Sequence, residues 1–268
     1  MATLVASSSS ESTNNSKTTT KTKSTESGST TLNQKFTAVG NNTPTAFCTQ
    51  PPPNTRVEAL PNELEVIEFL REHFIPNEPI LSSLCISNTD ELNVLLSDLV
   101  NDCITCPASN VIRDIGTGRL LGVCLASRSC LFEKQMDRLF SYEFSDPQLC
   151  IAIEFLKSVF NRADVAYHLE ENGITKPVFV AIIAVDVSFW RKGIGSALLD
   201  NCLSSAVEDH CDGALALCSS SRANRLMLKR FRNVVCRTRY CDYRGEYRNP
   251  PIAPPPPESA LHVLLTKL

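Results

Sequence analysis

The stretch VFVAIIAVDVSFWRKGIGSALLDNCL, Val178 to Leu203, constrains this chain more than any other. Val178 to Val185 is an unbroken apolar run between Pro177 and Asp186. A strand without polar alternation has no face to offer water, so it reads as buried on both sides. A short loop with Arg191, Lys192, Gly193 and Gly195 follows. Apolar residues then recur at Leu198, Leu199, Cys202, Leu203 and Ala206, the spacing of an amphipathic helix over Gly195 to Asp209. A helix that starts where a buried strand ends presents unpaired backbone N–H groups at its first turn. Gly193 and Gly195 lack a Cβ to cover them, which makes an anion site. The helix dipole favours phosphate there, and Arg191 or Lys192 adds a full charge. A P-loop would need GxxxxGK[ST], which is absent, and the dinucleotide pattern GxGxxG would need glycine where Leu198 stands. A GxG alone is also compatible with a plain turn; the whole strand, basic loop and helix is the stronger signal.

Around this unit the chain alternates between strand and helix patterns. TRVEAL, Thr55 to Leu60, reads as a strand. Asn62 then caps a helix with Glu65 three residues on, as in a capping box, and Leu64, Ile67, Leu70 and Phe74 give it an apolar face that stops before Pro76. A second helix spans Glu91 to Val100. VIRDI and LLGVCLA flank a glycine turn at Gly116 to Arg119, a hairpin signal. Helices are predicted over Asp146 to Asn161 and Arg222 to Phe231, and strands at Ala214 to Cys218, Val234 to Cys236 and Leu261 to Leu265. The order β-α-α-β-β-α-β-α-β-α-β-β describes one α/β domain over residues 55–268 with a central mixed sheet flanked by helices. Residues 1–54 are rich in Ser and Thr, poor in apolar residues and closed by Pro51, Pro52 and Pro53. Such a segment cannot bury enough apolar area to offset its ordering entropy, so a disordered tail is expected.

Composition removes several function classes. A net charge of −3 lacks the basic footprint of a nucleic-acid binder. No apolar run approaches the roughly 20 residues of a membrane span, and the N-terminus shows neither a signal-peptide core nor an Arg-rich transit pattern, so a cytoplasmic protein is expected. Cys124, Cys150, Cys202, Cys218 and Cys236 lie in apolar segments, where a free thiol behaves as a small hydrophobe. Cys103 and Cys106 form one CxxC, but no second pair follows and His73, His168, His210 and His262 are scattered, so no metal is expected.

Four segments carry a family resemblance. SFWRKGIGSALL resembles the pyrophosphate loop [Q/R]xxGx[G/A] of the GNAT-superfamily N-acetyltransferases. EFLREHFIPNEPI, Glu68 to Ile80, is similar to the first-helix signature of the invertebrate arylalkylamine N-acetyltransferases. Ser219 to Tyr243 resembles that family's TSxYSxxLxxKLGFxVVxxxxYxDY without a gap, and PPPPESALHVLLTKL resembles its proline-rich loop and last strand. The resemblance spans Thr55 to Leu268. It implies a GNAT-like α+β domain with a mostly antiparallel sheet, acetyl-CoA as co-substrate and a small aralkylamine as acceptor, with a monomer expected. It places acetyl-CoA against Ala184 and Val185 at the strand end and against Arg191, Lys192, Gly193, Ile194, Gly195 and Ser196. Trp190 stands where the loop usually carries Arg or Gln, Arg222 and Ala223 stand for the family's Tyr and second Ser, and Phe231 stands for Gly.

Aminolysis of a thioester requires a neutral amine, whereas an alkylamine resembles lysine, with a pKa of about 10.4. A positioned base solves this. Glu78 leaves a helix just before Pro79, which restricts its backbone to extended geometry and aims the carboxylate. The resemblance assigns it the base role. Ser220 aligns with the first family serine and is a candidate to protonate the leaving thiolate; it is equally a candidate helix cap. A backbone N–H near the end of Val178 to Val185 is the expected oxyanion donor. The basic residues from Arg222 to Arg239 read as a solvated face or, for one or two of them, as contacts to a CoA phosphate. Transfer to polyamines or peptide amines, and acyl-CoA binding with weak turnover, are the alternatives.

Overall fold

The computed structural model describes residues 49–87, 89–128 and 136–268. Residues 1–48, most of the expected tail, lie outside the described residues. In chain order the elements are β1 (Thr55–Ala59), α1 (Glu63–His73), α2 (Pro79–Ser83), α3 (Asp90–Ile104), β2 (Asn110–Asp114), β3 (Leu120–Arg128), α4 (136–141), α5 (Pro147–Ala163), α6 (Val165–Glu171), β4 (Pro177–Val185), α7 (Ile194–Glu208), β5 (Gly213–Cys218), α8 (Ser221–Met227), β6 (Asn233–Arg239) and β7 (Ala260–Lys267). One seven-stranded sheet runs β1-β2-β3-β4-β5-β7-β6, and every neighbouring pair is antiparallel except β4 with β5. This is the single mixed, mostly antiparallel sheet that the sequence predicts. Among the described residues no helix is long and apolar enough to cross a membrane.

Two cores sandwich the sheet. On one face Leu70, Leu96, Val100 and Phe155 from α1, α3 and α5 pack with Val123 and Leu125 of β3. On the other, Leu198, Leu199, Cys202 and Leu203 of α7 pack with Cys124 and with Val178 and Val180 of β4. β3 is therefore buried on both faces for eight of its nine residues. β4 departs from the expectation of complete burial. It is closed from Pro177 to Val180, but Ala181, Ile183 and Val185 are half-buried, because β4 there loses its neighbour.

Local chemistry sets the boundaries. Asn62 accepts the Glu65 N–H at 3.0 Å and caps α1 as predicted. The reciprocal half of the capping box is replaced, since the Glu65 carboxylate is engaged by Arg113 of β2 at 2.5 and 2.7 Å. α3 extends to Ile104, past the expected Val100, and α8 stops at Met227, short of the expected Phe231. α2 and α6 are not predicted from the sequence: each is short, and α6 contributes no fully buried residue that would mark a helical face. Nine of the described cysteines, Cys103 aside, are free thiols. Burial pushes the Cys218 thiol up to about 12, so it stays protonated.

Gly122 of β3 seats α7. A Cβ there would lie 2.9 Å from both Ile194 Cγ2 and Leu198 Cδ1 and 3.2 Å from the Ala184 carbonyl oxygen. Gly122→Val should therefore lift the first turn of α7 off the sheet and destabilise the protein by about 1–3 kcal/mol, the usual range for overpacking. A urea midpoint equal to wild type would show that α7 does not depend on this approach.

Candidate active site

β4 and β5 pair in parallel from Pro177 opposite Gly213 to Val180 opposite Ala216, and no further. The separation coincides with a register shift on the other side of β4, where Leu125 faces Ile182 but Ala126 faces Val180, leaving Ala181 as the extra residue of a bulge. Beyond it the edge of β4 opens into a cavity of about 960 Å³ lined by Phe179 to Val185, Leu217, Ser219 and Ser220. The Asp186 N–H donates to the Leu121 oxygen at 3.0 Å, so residue 186 faces β3. By the alternation of an antiparallel ladder, Ala184 and Ile182 also turn their peptide groups to β3, while Ile183 and Val185 turn theirs to the opening. Of the two expected strand contacts, Val185 thus offers its backbone to the cavity and Ala184 does not. Ile183 is a backbone donor that sequence reasoning missed, because locating it requires the register.

The β4–α7 loop is built from inside. Asp186 is buried and accepts the Ser188 N–H at 2.9 Å and the Ser188 hydroxyl at 2.7 Å, with Arg119 against its other oxygen at 2.5 Å. Burial alone would push its carboxyl up; these hydrogen bonds and the Arg119 and His73 charges more than offset that and hold it below the usual range. Arg191 and Gly193 both have positive φ, 63° and 88°. Glycine accepts this without cost, whereas for Arg191 it is a strained conformation of the kind found at ligand clamps. Gly193 is the N-cap residue of α7, and Gly195 lies under Leu226 of α8, whose Cδ2 would sit 3.3 Å from an added Cβ. Gly195 thus permits α8 to lean on α7, a packing role, while Gly193 meets the conformational one.

Trp190 is fixed by its indole N–H, which donates to the Val185 carbonyl at 2.9 Å, and the Arg222 guanidinium lies 4.0 Å from the centre of its ring. Arg191, Gly193, Ile194, Gly195 and Ser196 all line the cavity; the Lys192 ammonium lies over the Phe189 ring at 4.3 Å. Arg222, Arg225 and Lys229 of the α8 region line it too. Among the described residues none of these cations makes an ion pair, whereas Arg230 is held by the buried Asp200 at 2.6 and 2.7 Å. The loop before α7 and the α8 region thus bring several cations to this cavity that have no carboxylate partner among the described residues. The residues present fit the diphosphate of an acyl-CoA.

Glu78 lines the same cavity. It is 8% exposed, caps α2 by accepting the Leu81 N–H at 2.7 Å, and has the Ser219 hydroxyl on its carboxylate. Burial raises its carboxyl pKa, and the negative charge of Glu258 adds to the shift, against the hydrogen bonds from Leu81, Ser219 and Ile80. Ser219 is itself positioned through its carbonyl, which accepts the Tyr240 hydroxyl at 2.6 Å. Ser220 caps α8, accepting the Ala223 N–H at 3.1 Å, and also lines the cavity. Capping uses the serine oxygen as acceptor, so the hydroxyl proton is not consumed by it. The structure thus brings Glu78 to Ser219, its chain neighbour Ser220 being turned to the α8 terminus. The run of three serines from Ser219 to Ser221 hid this in the sequence.

Much of the remaining wall is apolar, with Phe74, Leu95, Leu99, Leu139, Ile153 and Leu156 among its residues. Asp98 and Asp102 line it as well, and both contact Arg138, with Tyr142 donating to Asp98. Among the described residues no group of three metal-ligating side chains occurs.

Residues 165–231 match the family model described as acetyltransferase (GNAT) family. Solved structures with the same fold include arylalkylamine N-acetyltransferase 2 from Aedes aegypti, with a TM-score of 0.70 and 20% identity over 80% of this chain and 99% of that one. An agmatine N-acetyltransferase variant in its apo form has a TM-score of 0.68 and 16% identity over 80% of this chain and 100% of its own. The polyamine N-acetyltransferase of Drosophila melanogaster has a TM-score of 0.65 and 16% identity over 80% and 100%. A comparison with curated proteins finds no match. The family match covers α6 through α8, which includes the open strand edge, the basic loop and the helix that follows it. The match to the GNAT acetyltransferase model over residues 165–231 and the fold shared with these solved N-acetyltransferases point the same way.

Proposed function

We propose that this protein transfers the acetyl group of acetyl-CoA to the primary amine of a small aralkylamine, with Glu78 as general base. The observation that carries the reading is a buried carboxylate on an apolar cavity that continues, along an unpaired strand edge, to a cation-rich helix N-terminus. An aromatic amine has the matching character: an apolar body for the wall and one ammonium for the carboxylate. In this reading the diphosphate lies on the first turn of α7, and the pantetheine amides take the peptide groups of Ile183 and the N–H of Val185 in place of β5. Glu78 accepts a proton from the ammonium, and the neutral nitrogen attacks the thioester carbonyl. The negative charge that develops on oxygen is met by a β4 N–H at the opening. Collapse breaks the C–S bond, the nitrogen releases its second proton to leave the neutral amide, and that proton reaches the departing thiolate directly or is relayed through Ser220 or water, which ends unchanged. A carboxylate with a raised pKa is closer to the operating pH and is the better base for this work.

A second reading, transfer to a polyamine or agmatine, is favoured by one feature. Asp98 and Asp102 place two carboxylates on the cavity wall against the single guanidinium of Arg138. A panel of dopamine, serotonin, octopamine, agmatine and spermidine, assayed by thiol release, separates the two. The aralkylamine reading predicts the highest kcat/KM for the aromatic amines. The highest value for agmatine or spermidine would replace it, and CoA binding without amine-dependent thiol release would leave only an acyl-CoA binder.

Glu78→Gln should reduce the chemical step by about 10²–10⁴-fold, the usual contribution of a positioned base. The loss should shrink as pH rises and free amine accumulates; a wild-type pH–rate profile in the variant would remove Glu78 from the mechanism. Ser220→Ala should cost less, since a thiolate departs with little help. The stability effect has the opposite sign. Because the folded pKa of Glu78 is raised, its burial is tolerated below the unfolded pKa and becomes unfavourable as pH rises through the folded value. Glu78→Gln should therefore melt at higher temperature than wild type at pH 8, with the gap closing towards pH 4. A lower melting temperature at pH 8 would contradict the burial argument.

A further inference from the structure

We propose that Trp190 and Arg222 act as one unit, in which the indole holds the Arg222 guanidinium as the cation that receives the diphosphate of coenzyme A. The inference rests on the acyl-CoA reading above and goes beyond it, since a glycine loop and a helix N-terminus by themselves require neither residue. The indole has one polar group, and it is fully used: its N–H donates to the Val185 carbonyl at 2.9 Å. That carbonyl faces the opening and not β3, so the bond satisfies the terminal acceptor of the β4 edge and fixes the plane of the ring. The Arg222 guanidinium packs on the ring at 4.0 Å. A stacked guanidinium uses its face and keeps its in-plane N–H donors, the edge that matches phosphate geometry.

Charge placement agrees. Arg222 is the second residue of α8, directly after the turn of Ser220 and Ser221, and it lines the cavity together with the α7 N-terminus. Among the described residues no carboxylate pairs with it. Arg230, farther along the same segment, is taken up by Asp200. Stacking also removes rotamer freedom that an arginine would otherwise lose when the ligand binds, a cost that preorganisation avoids. Trp190 is then a positioning residue and Arg222 the contact. Two of the four positions at which the sequence departs from the resembled motifs, a tryptophan where Arg or Gln is usual and an arginine where a tyrosine is usual, are the two halves of this stack.

Trp190 is the sole tryptophan of the chain, so its emission reports the stack directly. The full-length protein is titrated with CoA and with 3′-dephospho-CoA, following tryptophan fluorescence and, in parallel, calorimetry. Both ligands carry the diphosphate, and both should shift the emission of the wild type. Arg222→Ala should weaken both by about tenfold or more, the value of a lost charge-assisted hydrogen bond. Arg222→Lys should recover only part of the loss, because the charge returns without the planar fork. Trp190→Phe, which keeps a ring face but loses the N–H bond, should fall between wild type and Arg222→Ala. Wild-type affinity in Arg222→Ala overturns the proposal, as does an emission unchanged by CoA. A penalty that vanishes with 3′-dephospho-CoA overturns it too, since it moves Arg222 to the 3′-phosphate. Should Arg222→Ala fail to fold, Arg222→Lys and Trp190→Phe decide the matter by the same two readouts. Failure of the wild type to bind CoA at all would instead refute the acetyltransferase reading on which the proposal stands.

Discussion

Past Val180, β4 gives up its hydrogen bonds to β5 while keeping those to β3. Peptide groups inside a protein are almost always paired, so a strand edge left open there needs a partner or an explanation. Three features maintain the opening. The bulge at Ala181 turns the strand. The Asp186 turn redirects the chain into α7. The Trp190 N–H satisfies the one carbonyl at the end of the edge. What remains is a slot with backbone donors along one side, and both the α7 N-terminus and Glu78 line the cavity it opens into. The pantetheine arm of an acyl-CoA, with its two amides, is chemically matched to that slot.

The site carries its own energetic costs. A carboxylate buried at Glu78 and an arginine with positive φ at Arg191 are both unfavourable for folding, and both lie on the cavity wall. Perturbed titratable groups and strained backbone concentrate where a protein works, because elsewhere selection for stability removes them. The surrounding frame offsets these costs with ordinary means: two apolar cores, a capped helix at nearly every turn, and ion pairs such as Arg230 with Asp200 that keep the α7–α8 contact closed.

The frame was legible in the sequence because it follows from periodicity and punctuation. β4, α7, the β2–β3 hairpin and the Asn62 cap all lie within a residue or two of where pattern and capping rules put them. The short helices α2 and α6 were not legible, having too few turns to show a face. The helix N-terminus and Glu78 could be singled out from local chemistry and resemblance. Features that depend on register or on distant segments could not: the open side of Ile183, the contact of Ser219 with Glu78, and the stack of Trp190 on Arg222, residues 32 positions apart in the chain. Trp190 and Arg222 looked like two separate losses when read along the chain, and the fold makes them a pair.

The central proposal is that Glu78 and the α7 N-terminus serve one channel that acyl donor and amine occupy together. A crystal structure with a bisubstrate ligand, CoA joined through its sulfur to an N-acetylated arylethylamine, tests this most directly. The account predicts the diphosphate on the N–H groups of Gly193 to Ser196 with Arg222 beside it, the pantetheine amides on Ile183 and Val185, and the amide nitrogen within reach of Glu78, directly or through one water. A diphosphate bound away from α7, or an amide nitrogen facing away from Glu78 with the aromatic group outside the apolar cavity, would contradict it.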